Sequence, residues 1–374
     1  AVTTAKIADD NVTAAKISNN EDFTINSVTV GKGANSVTRN TVLGESALDA
    51  AVTGGDNTAI GALTLTLNTS GAYNTAVGSA ALDANTTGGT NVAIGQGSLS
   101  SNTTASNNTA VGSGSMNQNT TGPNNTAVGY NALTANTDGS YNTALGDRAC
   151  YTQTSAGYNT GVGHAALYAN TTGGSNVATG ALALDANTTG GNNTAVGVST
   201  LGANTTASDN TGVGRSALAA NTTGTRNTAV GSYALDANTT ASDNDAFGSY
   251  ALSDNTTGTR NVGLGRSALQ SNTTANDNTA VGHEALKVNT TGDLNTAVGS
   301  YAMQNSVNND RNVAIGYGTL ANIANDQGDS HHVAVGFNAG TSVTTAIQQT
   351  LVGSNAGVSC TTGHRCTFVG YYSG

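Results

Sequence analysis

The sequence predicts an all-β chain folded as a parallel β-roll, or β-solenoid, with coils of 17 residues. An Asn returns at every seventeenth position from Asn57 to Asn312. A Gly four places further on keeps the same interval from Gly61 to Gly316 and, after three inserted residues, resumes at Gly336. A short fixed period of this kind is typical of a solenoid, in which each coil contacts only its neighbours.

The composition agrees with a thin, repetitive fold. Hydrophobic residues make up 37% of the 374 residues and aromatic residues 4%, with no Trp, which is too little bulk for a wide globular core. The 49 Gly and the abundant Asn and Thr would also suit a disordered tract, but disorder does not require Val and Leu to keep a strict register. We therefore predict one elongated solenoid domain over residues 27–374, with a three-residue insertion near residues 317–332.

The chain begins differently from the way it continues. Residues 2–7 and 12–17 are two copies of one phrase, V-T-T-A-K-I and V-T-A-A-K-I, and we assign residues 1–26 to an entry or connector segment. The segment Val28–Gly31 is then expected to be a degenerate first coil.

Each later coil is expected to contain two short strands and two turns. The N-T-A-V-G segment alternates as a strand does, so that Thr75 and Val77 share one face while Ala76 lies on the other. We place a Val column and a Leu column inside the coil, with the turn N-T-T-G-G or N-T-T-A-S leading back. The Val column comprises Ile60, Val77, Ile94, Val111, Val128, Leu145, Val162, Val196, Val213, Val230, Phe247 and Leu264, and the Leu column includes Leu82, Leu99, Met116, Leu133, Leu167, Leu218, Leu235 and Leu286.

From Ala59 onward, an Ala column between the Asn and the Val columns holds only Ala or Gly until Leu351 and Phe368. Such restriction means that another surface lies close to it, either the opposite side of the same coil or a neighbouring chain. We favour the neighbouring chain, because closed cyclic symmetry would bury apolar surface that a thin solenoid cannot bury alone. This interpretation predicts a homotrimeric rod, in which Ala229→Leu disrupts assembly more than Ser232→Leu.

Two further columns predict polar ladders along the stack. The residue before each opening Asn alternates in charge, as Asp209, Arg226, Asp243, Arg260 and Asp277. Adjacent coils lie about 4.8 Å apart, so these side chains should pair between coils. Exposed pairs are each worth only about 0–1 kcal/mol, and we assign them to register rather than to stability. The Asn column is expected to form hydrogen bonds along the stack in the same way.

The charge and the scattered polar residues exclude several classes of function. A net charge of −10 with no basic patch argues against nucleic acid as a partner. The sequence contains no run of 18 apolar residues, so we predict no insertion into a membrane. Asp and Glu are scattered over turn positions, and no two of them are placed as a pair of carboxylates that could act as general acid and base. We predict no catalytic, cofactor-binding or metal-binding residues, no cofactor, and no enzymatic activity.

A few His and Cys residues were candidates for chemistry. His164 and His283 share the variable position after the repeated Gly, which is expected to face outward. The adjacent pair His331 and His332 lies in the insertion and is expected to be polar loop rather than a metal site. Cys150 stands in the Leu column and is expected to be a small buried residue. Cys360 and Cys366 either form a disulfide that locks the last coil or remain free thiols.

The turn also contains a repeated N-glycosylation sequon. In a host with the glycosylation machinery the sequons would display a sugar on every coil, and in a bacterial virus they would be bare turn residues, the interpretation we favour. The sequons begin at Asn68, Asn85, Asn102, Asn119, Asn170, Asn187, Asn204, Asn221, Asn238, Asn255, Asn272 and Asn289.

The N-T-A-V-G core with its small-residue segment resembles the head repeats of the trimeric autotransporter adhesins, over roughly residues 27–374. That resemblance implies a parallel β-roll wound three around an axis. The V-T-T-A-K-I-A-D-D phrase is similar to segments of bacteriophage tail fibres, in which such rolls form shafts, and the absence of an apolar secretory signal at the start fits that family better.

Three hypotheses about function follow. The first is a homotrimeric fibre shaft of a phage or phage-like particle, located in the virion and supporting host attachment, with a cell-surface receptor or glycan as partner. The second is an extracellular bacterial adhesin or filament subunit. The third is an ice-binding solenoid, which would need a flat outward face of paired Thr residues. We expect the strand Thr to face inward with Val, which disfavours the third.

Overall fold

A computed structural model describes residues 22–323 and 330–374 of the chain. Residue contacts divide the chain into two compact units, residues 1–156 and 157–374. The described residues of both units are all-β, as predicted, and contain no α-helix. The repeated phrase at residues 2–17 and residues 324–329 of the insertion lie outside the described residues.

The first unit opens with an antiparallel lead-in and continues as a parallel stack. Strand β1 pairs antiparallel with β2, and β2 pairs antiparallel with β3. From β3 to β9 each strand is parallel to the next. The elements are β1 (Phe23–Ile25), β2 (Val28–Gly31), a 3-10 turn (Ala34–Ser36), β3 (Thr41–Gly44), β4 (Thr58–Ile60), β5 (Thr75–Val77), β6 (Val92–Ile94), β7 (Thr109–Val111), β8 (Thr126–Val128) and β9 (Thr143–Leu145).

The prediction that Val28–Gly31 is a first coil was wrong. In the β2–β3 pairing Val30 lies opposite Leu43 in an antiparallel register, whereas every coil needs parallel pairing. The connection over residues 32–40 is shorter than the connection over residues 61–74 that carries the chain once around a coil. The chain therefore turns back at this point instead of passing around.

The second unit is a parallel stack throughout its described strands. Each strand pairs with the strand of the next coil so that equivalent residues lie side by side, as Ala229 and Ala246 do. Across the insertion Ala314 pairs with Ala334, so the extra residues leave the strand register intact. The strands are β10 (Thr160–Val162), β11 (Val177–Thr179), β12 (Thr194–Val196), β13 (Thr211–Val213), β14 (Thr228–Val230), β15 (Asp245–Phe247), β16 (Val262–Leu264), β17 (Thr279–Val281), β18 (Thr296–Val298), β19 (Val313–Ile315), β20 (Val333–Val335), β21 (Thr350–Val352) and β22 (Thr367–Val369).

Each described coil has one strand rather than the two that we predicted. The segment carrying the Leu column is a chain of turns in which Ala80 and Leu82 have positive φ, 55° and 53°. Its amides alternate between neighbours: Ala80 N donates to Ala62 O of the preceding coil at 2.9 Å, and Leu82 N donates to Ser98 O of the following coil at 3.0 Å. Left-handed residues therefore take the place of the second strand without leaving these backbone donors unpaired.

The faces of the strand are also reversed with respect to our prediction. The Leu column lies inside, as predicted, but the Val column faces outward, with Leu145 46% and Leu264 45% exposed, while Ala76 and Ala229 are fully buried. The cause of the Ala restriction is the Leu column of the same chain. At Gly263, which stands in the Ala column, a Cβ would lie 3.4 Å from Leu252 Cδ1.

The last coils confirm this internal packing by exchanging large and small residues. Leu351 fills the Ala column and is fully buried. The facing position of the Leu column holds Gly340, where a Cβ would lie 2.6 Å from Leu351 Cδ1. Phe368 faces Gly357 in the same way. Volume is conserved between the two columns, as close packing requires.

Ala229→Leu is therefore expected to lower the free energy of unfolding by about 1–3 kcal/mol through overpacking against Leu218. Adding Leu218→Gly should recover part of the loss, because the pair would then imitate Gly340 and Leu351. Urea unfolding of the two single variants, the double variant and the control Ser232→Leu, at a partly exposed position of the coil edge, measures the coupling. Additive losses in the double variant would contradict the assigned contact.

Candidate functional surfaces

Two ladders of buried Asn side chains run inside each unit and hold its coils in register. In the opening-Asn ladder, Asn244 N donates to Asn227 Oδ1 at 3.1 Å and Asn244 Nδ2 donates to Gly258 O at 2.9 Å. In the turn-Asn ladder, Asn238 Nδ2 donates to Asn221 Oδ1 at 2.9 Å and to Ala241 O at 3.1 Å. The predicted hydrogen bonding of the Asn column along the stack is confirmed.

The turn-Asn ladder includes all the Asn residues that begin the glycosylation sequons. All of them are fully buried, Asn238 among them. Both donors of the Asn238 carboxamide are engaged within the stack, and a sugar on Nδ2 would replace one of them. The folded coil therefore has no room for a glycan at these positions, and the sequon is a consequence of turn chemistry.

The predicted charge ladder exists as two discrete ion pairs. Arg226 donates two hydrogen bonds to Asp243, at 2.7 and 3.0 Å, and Arg260 donates two to Asp277, at 2.6 and 2.8 Å. The hydrogen bonds from Arg lower the pKa of Asp243 and of Asp277. The pairs are largely exposed, so they contribute little to stability and are suited to fixing the register.

In each unit the outward face of the strands carries a row of Thr and apolar side chains, which we name the Thr–Val stripe; in the second unit Asp245 replaces one of the Thr residues. In the second unit its apolar row aligns from coil to coil through Val196, Val213, Val230, Phe247, Leu264, Val281, Val298, Ile315, Val335 and Val352. Phe247 is 38% exposed and Ile315 is 40% exposed. Large contiguous apolar patches on protein surfaces often serve as interaction sites, so this stripe is a candidate functional surface.

A second exposed feature of the second unit is an aromatic ridge at the corner after the glycine column. Its members are Arg215, Tyr233, Tyr250, Arg266, His283, Tyr301, Tyr317 and Phe337. Tyr233 and Tyr250 stack with ring centroids 5.3 Å apart, and Tyr317 and Phe337 stack at 5.5 Å. Arg215 lies 5.5 Å above the Tyr233 ring. Tyr and Arg are the residues that most often anchor protein interfaces.

The other residues singled out from the sequence have the following positions. The variable position after the Gly faces outward as predicted, with His164 exposed. Cys150 is fully buried as predicted, and burial raises the pKa of its thiol to about 12. Cys360 and Cys366 are both free thiols. Within the described residues, no cluster of three or more His, Cys, Asp or Glu side chains is arranged to hold a metal ion.

His332 occupies the opening-Asn ladder rather than a polar loop, so our expectation for this residue was wrong. Its backbone N donates to Asn312 Oδ1 at 2.9 Å, as an Asn at this position would. Its Nε2 lies 3.0 Å from Ala346 O, and its Nδ1 accepts from Gln349 N at 3.4 Å. These contacts assign a neutral ring with the hydrogen on Nε2. Burial lowers the pKa of His332 to about 4.

Three half-buried carboxylates were not recognised from the sequence. Burial raises the pKa of Asp83, Asp185 and Asp236, and the Oδ1 atoms of Asp83 and Asp236 are buried without a hydrogen bond. The residues lie in separate coils, so they do not form a paired acid and base. The sequence showed them only as polar residues after the Leu column, where Ser, Thr and Gly also occur.

No protein-family model and no curated protein sequence matches the chain. In the part of the chain that the structure describes, no helix has the length and apolar character needed to span a membrane.

The neutral state of His332 makes the stability of the second unit depend on pH. Because the folded-state pKa of about 4 lies below the ordinary value of 6.5, stability is fully present above pH 6.5 and is lost as the pH falls from 6.5 towards 4. The loss should approach about 3 kcal/mol, since a proton on Nδ1 removes the acceptor for Gln349 N.

Urea unfolding at pH 7 and pH 4.5 measures this loss. His332→Asn restores the ladder residue and should remove most of the dependence on pH. His331→Asn, at an exposed position, removes only a lesser charge contribution to the His332 pKa and should leave most of the dependence in place. An identical pH profile for His332→Asn and the unmodified chain would show that His332 does not titrate in this way.

Proposed function

We propose that the chain is a non-enzymatic structural fibre shaft whose copies associate through the Thr–Val stripe. The observation that carries this proposal is the outward orientation of the Val column. Leu264 and Ile315 are 45% and 40% exposed in the single chain. Complete burial of a side chain of this size contributes about 1.5–3 kcal/mol, and covering the part still exposed would supply somewhat less than half of that for each residue. The stripe extends along the coils, so it matches a partner that extends in the same direction.

The homotrimer is the form of association that we propose. A second copy placed by rotation about an axis parallel to the stack would set its own coils beside the stripe, and a closed ring leaves no stripe free. The likeness of the N-T-A-V-G repeat to trimeric adhesin heads supports three copies in particular. The Ala column no longer supports this proposal, because it is buried within the single chain.

As to its biological setting, we propose a shaft in the tail fibre of a phage or phage-like particle, holding a host-attachment region away from the particle. The aromatic ridge is the surface we propose for contact with a cell-surface receptor. The alternative is a bacterial extracellular adhesin or filament subunit. Genes for virion proteins beside this gene would support the fibre, and genes for secretion would support the adhesin.

Introducing charge into the Thr–Val stripe tests the association directly. Val196→Glu with Leu264→Glu should convert the oligomer into monomers, because each carboxylate would be buried without a partner at the interface. The circular dichroism spectrum should not change, since both residues are exposed in the single chain.

Molar mass from sedimentation equilibrium is the measurement, with Ser232→Glu as the matched control at the coil edge. A monomeric unmodified chain, or an unchanged oligomer in the double variant, would refute association through this stripe.

The ice-binding hypothesis gains one observation. We disfavoured this hypothesis because we expected the strand Thr to face inward. In the structure the strand Thr faces outward beside Val, as Thr228 and Val230 do. Against it, the row includes Phe247 and Leu264 beside Val, and Asp245 interrupts the Thr positions, so the face is not flat. Thermal hysteresis measured on the unmodified chain and on the stripe variant decides between the two functions. Activity in the unmodified chain that is lost in the variant would support ice binding at a free stripe, and no activity in either would exclude ice binding.

A further inference from the structure

The turn near the end of the chain replaces both ladder asparagines with cysteine. The turn that reads N-T-T-G-T-R-N at residues 255–261 reads C-T-T-G-H-R-C at residues 360–366. Cys360 therefore stands in the turn-Asn column and Cys366 in the opening-Asn column. These are the two inner corners at which the other turns form their buried hydrogen bonds.

The two thiols face one another across Gly363. A Cβ built on Gly363 would lie 3.0 Å from Cys366 Sγ and 3.2 Å from Cys360 Sγ, so both sulfur atoms border the same small space. Burial and the neighbouring Cys360 thiol raise the pKa of Cys366. Both residues remain partly exposed, so a small oxidant can reach them.

We propose that Cys360 and Cys366 form a reversible disulfide that closes this coil. The two thiols lose two electrons and two protons, one S–S bond forms, and one small-molecule disulfide, such as oxidised glutathione, is reduced to two thiols through a mixed disulfide. The bond would replace the hydrogen bonds that the two missing asparagines supply in other coils.

The consequence concerns strand β22, which begins at Thr367, directly after Cys366. This strand and the residues after it are poorly covered, with Val369 68% and Tyr371 75% exposed. A covalent link from Cys366 back to Cys360 fixes the point at which this strand enters, so opening of the coil requires reduction. The chain thereby carries a redox-dependent lock on this end of the second unit.

Trypsin provides the test, because the exposed Arg365 lies between the two cysteines. The full chain is equilibrated in reduced or oxidised glutathione, alkylated and digested. In the reduced sample, residues 366–374 should leave as a free peptide. In the oxidised sample the same peptide should remain joined to residues 312–365 until a thiol reductant is added, as seen by mass spectrometry.

Cys360→Ser is the matched control and should release the peptide under both conditions, while the buried Cys150 should stay unmodified in all samples. Release of residues 366–374 from the oxidised chain would overturn the proposal. So would a separate glutathione adduct on each thiol, or a disulfide between two chains in place of the internal one.

Discussion

The structure depends on hydrogen bonding between asparagine side chains buried inside the coils. Each ladder Asn supplies one acceptor and two donors, and the stack uses them between coils and at the turns. A coil slipped by one position would bury these groups unpaired, at a cost of about 1–3 kcal/mol each. Two ladders repeated in most coils therefore specify the register far more strictly than the apolar residues can. The chain keeps this arrangement even at the insertion, where His332 supplies the same acceptor and donor with its ring nitrogens.

Complementary volumes in the Ala and Leu columns fill the remaining interior. Because the interior is complete within one chain, the strand has only its outer face left for interaction, and that face carries Val, Ile, Leu and Phe beside Thr. The same internal packing that stabilises a coil thus explains why an apolar stripe remains on its surface. The association of copies and the shaft that we propose rest on this exposed stripe.

The period, the all-β class, the inward Leu column, the Asn ladder and the ion pairs were all predicted from the sequence, because a repeat displays each column directly. The orientation of the strand was not. Alternation establishes that Thr75 and Val77 share a face, but it does not establish which face is inward, and larger apolar residues are normally placed inside. One pair of residues in the sequence could have decided this orientation: Leu351 stands in the Ala column where Gly340 stands in the Leu column, which indicates that the two columns face each other inside the coil. The prediction of a second strand failed for another reason. Leu82 has a positive φ, which is unusual for Leu and cannot be predicted from the type of side chain.

The most direct test of this account is the exchange of Asn side-chain amide protons with solvent, followed by NMR after selective labelling of Asn. Buried, hydrogen-bonded carboxamides such as those of Asn238 and Asn244 should exchange at least about a hundredfold more slowly than that of the exposed Asn305, because exchange requires the coil to open. Equal exchange rates for all Asn carboxamides would contradict the account, since the ladders that define the coils would then be open to water.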